Sequence, residues 1–289
     1  MSTQPISGFT QNASGIFSPI AGVKHREEEY DSAAFDVLRN MQSRHFWYRG
    51  RHRFLLHAVK AYQRSPHQKA IDLGGGCGGW VAYLNARAPH LFDELALADS
   101  SLRALEYAQT FVGAKTQRYQ IDLLDLPWEG AWDAVFLLDV LEHIPDDAAV
   151  LAQIRKVLRP GGHLFVTTPA FPAFWSYNDD AAHHVRRYRR RDFRRLADAA
   201  GLELRTSRYF MFLLSPLLLM SRLFARDVKG MTPAEVQAII ARTHRVPAAP
   251  LNELLAGIFA AETPLGYWLP FPWGTSILGV FRRPQSDNR

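Results

Sequence analysis

Five short apolar runs between residues 70 and 169, AIDLGGG, ELALAD, RYQID, WDAVFLLD and HLFVTTP, alternate with helical stretches. Strands too apolar for a one-sided sheet, each followed by a helix, require parallel pairing with helices on both faces, so the chain reads as α/β and doubly wound. The helix after Asp146 is marked by Val150, Leu151, Ile154, Val157 and Leu158 on one face and by the RPGG stop at 159 to 162. Further helices are expected from about Glu27 to Arg44, over Phe54 to Tyr62 and over Asp192 to Ala200, with strands at Leu202 to Tyr209 and Ser276 to Phe281. Residues 210–273 make an insert too long for a loop, so it should carry helices of its own. Residues 1–23, uncharged and rich in Ser, Gly, Pro and Gln, read as a flexible tail. The rest, 24–289, reads as a single domain in which 24–65 supply lid helices.

The one cysteine, Cys77, excludes an internal disulfide and points to the cytoplasm. Lys and Arg number 34 against 28 Asp and Glu, a net +6, and RRYRRRDFRR at 186 to 195 carries seven arginines by itself. So local a surplus argues against nucleic acid and for an anionic group at one place. The uncharged run Tyr209 to Ser221, bracketed by Arg208 and Arg222 and followed by Arg226, falls short of the about 20 residues that span a bilayer. It is core, or it makes a peripheral contact at a membrane interface.

Ligands of open α/β sheets bind at the carboxyl ends of the strands. The first run ends in Asp72-Leu-Gly74-Gly-Gly76-Cys-Gly78-Gly79, glycines that allow a tight turn and a close backbone approach before a helix start. Alone it is ambiguous, because Gly74, Gly76 and Gly79 also satisfy the dinucleotide pattern G-x-G-x-x-G of a dehydrogenase. Asp99, Asp122 and Asp139 close the next three runs. With that register the chain resembles the class I S-adenosylmethionine-dependent methyltransferases. Asp72, Gly74, Gly76 and Gly78 match D-x-G-x-G-x-G, Asp99 matches the acid after the second strand, and Asp122, Asp125, Leu126, Pro127 and Trp128 match D-x-x-D-L-P-F/W.

The resemblance implies a Rossmann-like, seven-stranded sheet, mostly parallel with its last strand antiparallel, and a helical C-terminal insert. It implies S-adenosylmethionine as cofactor, its methionine part cradled by Gly74 to Gly78 beside Asp72. Asp99 would hold the ribose, with Ser100 next to it, although an aspartate there also caps turns. Asp122 would take the adenine amino group, Leu123 the adenine ring through its backbone, and Asp139 would line the same edge. His45 to Arg51 is similar to an H-F-W-[FY]-x-x-R opening found in a subset of these enzymes, and Trp47 and Arg49 are read as a lid over the cofactor or as core packing.

For the acceptor, His143 follows the fourth strand and is the first candidate for a base, or else it orients the next helix. Glu142 and His143 have metal-ligand chemistry, but the sequence displays no further ligand cluster, so no metal is expected. The block from Trp175 through Asp179 and His184 to Arg186, Arg187 and Tyr188 is similar to W-S-x-x-D-x-x-x-x-H-x-R-R-Y of the same subset. It offers acid, base and donor groups at the mouth of the site: His184 and Tyr188 as catalytic candidates, and Trp175, Asp179, Arg186 and Arg187 as acceptor contacts, the arginines as a clamp for phosphate or carboxylate. Arg189 to Arg195 read as a solvated helix face. The expected activity is methyl transfer to O or N of a small-molecule, glycan or lipid-linked acceptor. Its rivals are a non-catalytic cofactor-binding scaffold or sensor and a membrane-surface protein.

Overall fold

A computed structural model of the chain describes residues 6–23, 34–63, 67–223 and 245–285. Nine strands form one sheet: β1 (Phe9–Gln11), β2 (Ile16–Pro19), β3 (Lys69–Leu73), β4 (Glu94–Asp99), β5 (Gln117–Gln120), β6 (Trp132–Leu138), β7 (Leu158–Pro169), β8 (Glu203–Phe210) and β9 (Ser276–Arg282), in the order β1-β2-β5-β4-β3-β6-β7-β9-β8. Pairing is parallel from β2 through β7, and β9 runs antiparallel to both β7 and β8. The seven strands expected from the sequence are all present.

The two additional strands correct the reading of residues 1–23 as a tail. Asn12 Oδ1 accepts from the Ser14 and Ile16 N–H groups at 3.0 and 2.9 Å, which turns the chain between β1 and β2. Ile16, 0% exposed, then packs with Val81, Leu97, Leu105, Ala108 and Val112, and Arg118 Nη2 donates to the Ser14 carbonyl at 2.5 Å. With β2 paired to β5 and Phe17 stacked on Tyr119 at 5.3 Å, these contacts hold a segment whose composition shows no core.

The helices are α1 (Ala34–Arg44), α2 (Phe46–Tyr62), α3 (Gly79–Arg87), α4 (Leu102–Ala108), α5 (Asp147–Val157), α6 (Tyr177–Ala181), α7 (Arg190–Ala200), α8 (Ser215–Leu223) and α9 (Ala249–Trp268). Side chains alternate across the sheet with the period of a strand. Ile71, Leu73, Val135, Leu137, Leu164 and Val166 face one core, which Leu151 and Ile154 of α5 and Leu196 of α7 complete. Ala70, Ala134, Phe136 and Phe165 face the other, with Phe54, Leu55 and Val59 of α2, Trp80 of α3 and Phe259 of α9. Asp146 caps α5, accepting from the Ala149 N–H at 2.9 Å.

The insert carries α8 and α9, as its length required. α9 lies on α2: Asn252 accepts from the Phe46 N–H at 3.0 Å and donates to the Arg44 carbonyl at 2.9 Å, and Tyr267 donates to the Phe54 carbonyl at 2.8 Å. It thereby fixes the joint between α1 and α2. The run from Tyr209 is split: Tyr209, Phe210, Met211 and Leu214 are buried, whereas Leu213, Leu217 and Met220 are 41, 55 and 54% exposed. Among the described residues no helix is long and apolar enough to cross a membrane. Residues 24–33 of the expected lid, Arg226 and the rest of 224–244 lie outside the described residues.

Candidate functional site

The chain order β3, β4, β5 runs one way across the sheet and β6, β7 the other, so the crevice at the carboxyl ends of β3 and β6 is the topological switch point. The glycine turn leaves β3 there. Gly74 and Gly75 donate to the Ala98 carbonyl at 2.8 and 3.2 Å, and Gly78, at φ +77, starts α3 where a Cβ would collide with Val112. A Cβ on Gly74 would come within 2.8 Å of Val140 Cγ2, so the turn and the segment after β6 touch backbone to side chain.

Acids line this crevice. Asp72 is 1% exposed, and among the described residues its Oδ1 accepts no hydrogen bond. Burial pushes its carboxyl up to about 8, Arg51 pulls it down and Asp99 adds to the rise. Asp99 accepts from the Gly76 and Ser101 N–H groups, both at 2.8 Å, so it shapes the glycine turn and caps the next one. Ser100 accepts through its carbonyl from Gln120 Nε2 at 3.0 Å, and the exposed Asp122 accepts from the Leu124 N–H at 2.9 Å, leaving Leu123 half-buried beside it. Asp139, at φ +56, forms an ion pair with Arg51.

Arg51 is the site residue that the sequence reading missed, and it corrects the choice of Arg49. Both lie in HFWYRGR, which the structure places in the first turns of α2 after the N-cap His45, two positions apart and therefore about 200° apart round the helix. Arg49 turns outward and pairs bidentately with Glu253 of α9 at 2.6 and 3.0 Å, away from the crevice. Arg51 turns inward, its guanidinium 5.0 Å from the Trp47 ring and 5.1 Å from that of Tyr48. Trp47 therefore lies against Arg51 on the inward face of α2.

The second constellation divides. Asp179 is 1% exposed and accepts from His184 Nδ1 at 2.9 Å, from Arg187 Nε and Nη2 at 2.7 and 2.9 Å, and from the Ser176 N–H at 2.8 Å. Burial alone would raise its carboxyl, but the bonds from His184 and Arg187 prevail and hold it well below the usual carboxylate range. Arg187 also donates to the Ala170 carbonyl at 3.2 Å, and Arg186 donates to Asp147 and to the Pro145 carbonyl at 2.6 and 2.5 Å. These arginines hold the segment to its own neighbours, which corrects the reading of a free anion clamp. Trp175, 39% exposed, donates to Asp180 at the surface. Among the later arginines, Arg191 is solvated, but Arg190 stacks 4.6 Å over Tyr209 and donates to the Phe271 carbonyl.

Tyr188 is corrected as well. It is 1% exposed in the core, donating to the Leu141 carbonyl or Asp147, each at 3.1 Å, and burial raises its hydroxyl far above the ordinary tyrosine value. Tyr188→Phe is expected to leave turnover within about twofold and to lower stability by about 1 kcal/mol, roughly 2–4 °C in melting temperature. Steady-state rates beside a thermal melt check this, and a large fall in kcat with an unchanged melt would return the residue to the chemistry.

His143 and His184 come together at the end of β6, ring centroids 4.7 Å apart and edge to face. Burial, then the neighbouring His184, push His143 down to about 4, so it is a neutral imidazole near pH 7. Glu142 beside them is 1% exposed, its carboxyl raised well above the usual range by burial and by Asp139. The linear sequence showed only two members of this ligand set. The fold adds His184, because Asp179 and the Val185 N–H to Glu142 carbonyl bond of 2.8 Å draw that segment across the β6 end.

A mostly parallel sheet with an acid-lined glycine turn at its switch point defines a Rossmann-like fold of the kind that binds a nucleotide-type ligand. The chain belongs to the methyltransferase domain family, whose profile matches residues 15–207. It is 32% identical over 109 residues to a ubiquinone biosynthesis O-methyltransferase of Marinobacter nauticus, which is 35% of this chain and 44% of that protein. The match spans about half the length of such curated relatives. Among solved structures, a chain of the Haloferax volcanii complex between the Trm112 methyltransferase activator and a methyltransferase superposes with a TM-score of 0.58 at 16% identity, over 91% of this chain and 99% of that one. A Haemonchus contortus phosphoethanolamine N-methyltransferase 2 in complex with S-adenosyl-L-methionine does so with 0.52 at 17%, over 80% and 52%. At that identity the likeness shows the fold. The methyl donor of this class is S-adenosylmethionine, and the residues present fit it: a buried carboxylate oxygen of Asp72 without a partner, beside the glycine turn, suits a cationic ligand.

Proposed function

We propose that the chain transfers a methyl group from S-adenosylmethionine to an oxygen of a small-molecule acceptor. The observation that carries this reading is the arrangement of Asp72, Asp99, Asp139 and Arg51 around the glycine turn at the switch point. Bound there, S-adenosylmethionine supplies a methyl group made electrophilic by its sulfonium. In this reading Asp72 meets the cationic methionine end, Asp99 the ribose, Asp122 the adenine amino group and Leu123 the adenine ring. Methyl displacement needs alignment and exclusion of water more than charge stabilisation. α2, clamped by α9, brings Trp47 to the edge of the crevice for that purpose. His143 and His184 are the groups on the β6 side that would take up the acceptor's proton. The choice of a small-molecule oxygen is supported by the O-methyltransferase relatives that match about a third of the chain, and a glycan or lipid-linked acceptor has no such support.

Two measurements test it. Calorimetry of the purified chain with S-adenosylhomocysteine is expected to show one site, and mass spectrometry of phenol, alcohol and amine panels a product heavier by about 14 Da on a phenol or alcohol. Absence of S-adenosylhomocysteine binding overturns the reading. Binding with no methylated product across the panels would instead establish a non-catalytic cofactor-binding protein.

A further inference from the structure

The three groups at the end of β6 have a chemistry that proton transfer alone does not account for. We propose that Glu142, His143 and His184 form a three-ligand site for a borderline divalent cation of the Zn²⁺ or Co²⁺ kind. One ligand atom from each lies within 4.8 Å of the other two. Tetrahedral ligation at about 2.1 Å would space them about 3.4 Å apart, so closure of at most about 1.4 Å suffices.

Three independent features of the surroundings point the same way. Glu142 Oε2 is buried and, among the described residues, has no hydrogen-bond partner, although His143 and His184 stand beside it. An orphaned buried carboxylate oxygen is costly unless a cation or donor meets it. His184 is oriented as metal-binding histidines are: Asp179 takes its Nδ1 at 2.9 Å, which leaves Nε2 as the coordinating nitrogen, and Arg187 and Ser176 hold Asp179 in turn. His143 lies beside the Ala182 backbone, a partner that would orient one ring nitrogen and leave the other for a ligand. Carboxylate and backbone partners on the outer nitrogens fix both rings with their free nitrogens for coordination.

Two imidazoles and one carboxylate select a transition metal over Mg²⁺ or Ca²⁺, which prefer all-oxygen sites. Three protein ligands leave at least one position open, the pattern of a site that takes a substrate oxygen rather than a closed structural one. The inference rests on the methyltransferase reading only for the identity of that oxygen as the acceptor's. With the cation in place, His143 and His184 would serve as its ligands instead of taking up the proton as they would in the metal-free site, and the cation would lower the acceptor's proton affinity so that the proton leaves to water.

The test uses the full chain, stripped with chelator, dialysed and titrated with Co²⁺ while visible d–d absorption is followed, with Zn²⁺ calorimetry alongside. One equivalent of Co²⁺ with a four- or five-coordinate spectrum is expected, and Glu142→Gln and His184→Ala are each expected to weaken binding at least about 100-fold. S-adenosylhomocysteine calorimetry on the same variants reports that each is folded. Sub-stoichiometric Co²⁺, or affinity unchanged in both folded variants, overturns the site. Loss of metal with S-adenosylhomocysteine binding intact in the wild type leaves the methyl-donor reading standing. Metal binding without S-adenosylhomocysteine binding does the reverse.

Discussion

Arg51→Met is expected to cost about 3–5 kcal/mol of stability, because it removes the cation from a buried set of acids. For a domain of this size that is roughly 6–20 °C in melting temperature. The guanidinium is 6% exposed, pairs with Asp139, pulls the Asp72 carboxyl down and lies over the Trp47 and Tyr48 rings. Methionine keeps the apolar stem among the rings, so the loss isolates the charge. A double-mutant cycle with Asp139→Asn sharpens the test: the double variant should recover part of the loss, with a coupling of about 0.5–3 kcal/mol. Strict additivity would show that the pair does not act as a unit. Arg49→Met supplies the contrast, since its partner Glu253 is 63% exposed and water screens such a pair, so its loss should barely move the melt. Equal losses at 49 and 51 would contradict the placement of the two arginines on opposite faces of α2.

Why one arginine was legible and the other was not is a matter of phase. The HFWYRGR segment announces a site by its density of aromatic and basic residues, but only its helical course from Phe46 decides that Arg51 shares a face with Trp47. The strands were legible for the opposite reason. A parallel strand buried on both faces must be apolar along its length, as Ala70, Ile71 and Leu73 are, so its sequence alone declares it. Strand β2 obeys no such rule at the sheet edge, where Ile16 alone is fully buried. Long-range pairing explains the remaining differences. Nothing local to Arg186, Arg187 and Tyr188 shows that Asp147, Ala170 and Leu141 will occupy them, and nothing local to Glu142 shows that His184 will arrive beside it.

Asp72→Asn separates binding from stability, because the two should move in opposite directions. The free carboxyl stands at about 8, against an ordinary value near 3.8, with burial as the main cause. Its folded value lies above its unfolded one, so between about pH 4 and pH 8 the unfolded chain has lost a proton that the folded chain keeps. Stability from this group is therefore full below about pH 4, falls as pH rises, and levels off above about 8. Asparagine has nearly the same shape and no charge, so the variant should be as stable as the wild type in acid and more stable near pH 8, with a flatter pH dependence in denaturant titrations. Cofactor binding should show the reverse. A cationic ligand favours the ionised acid, so wild-type affinity for S-adenosylmethionine should rise from pH 6 to pH 8.5 as the carboxyl gives up its proton. Asp72→Asn should bind at least about tenfold more weakly at pH 8.5, the loss of a charged hydrogen-bond partner being about 1.5–3 kcal/mol, and should lose the pH dependence. A variant that is destabilised at every pH yet binds normally would make Asp72 a prop for the glycine turn. One that gains stability while losing the ligand would mark a buried acid held against the stability of the fold for the charge it meets.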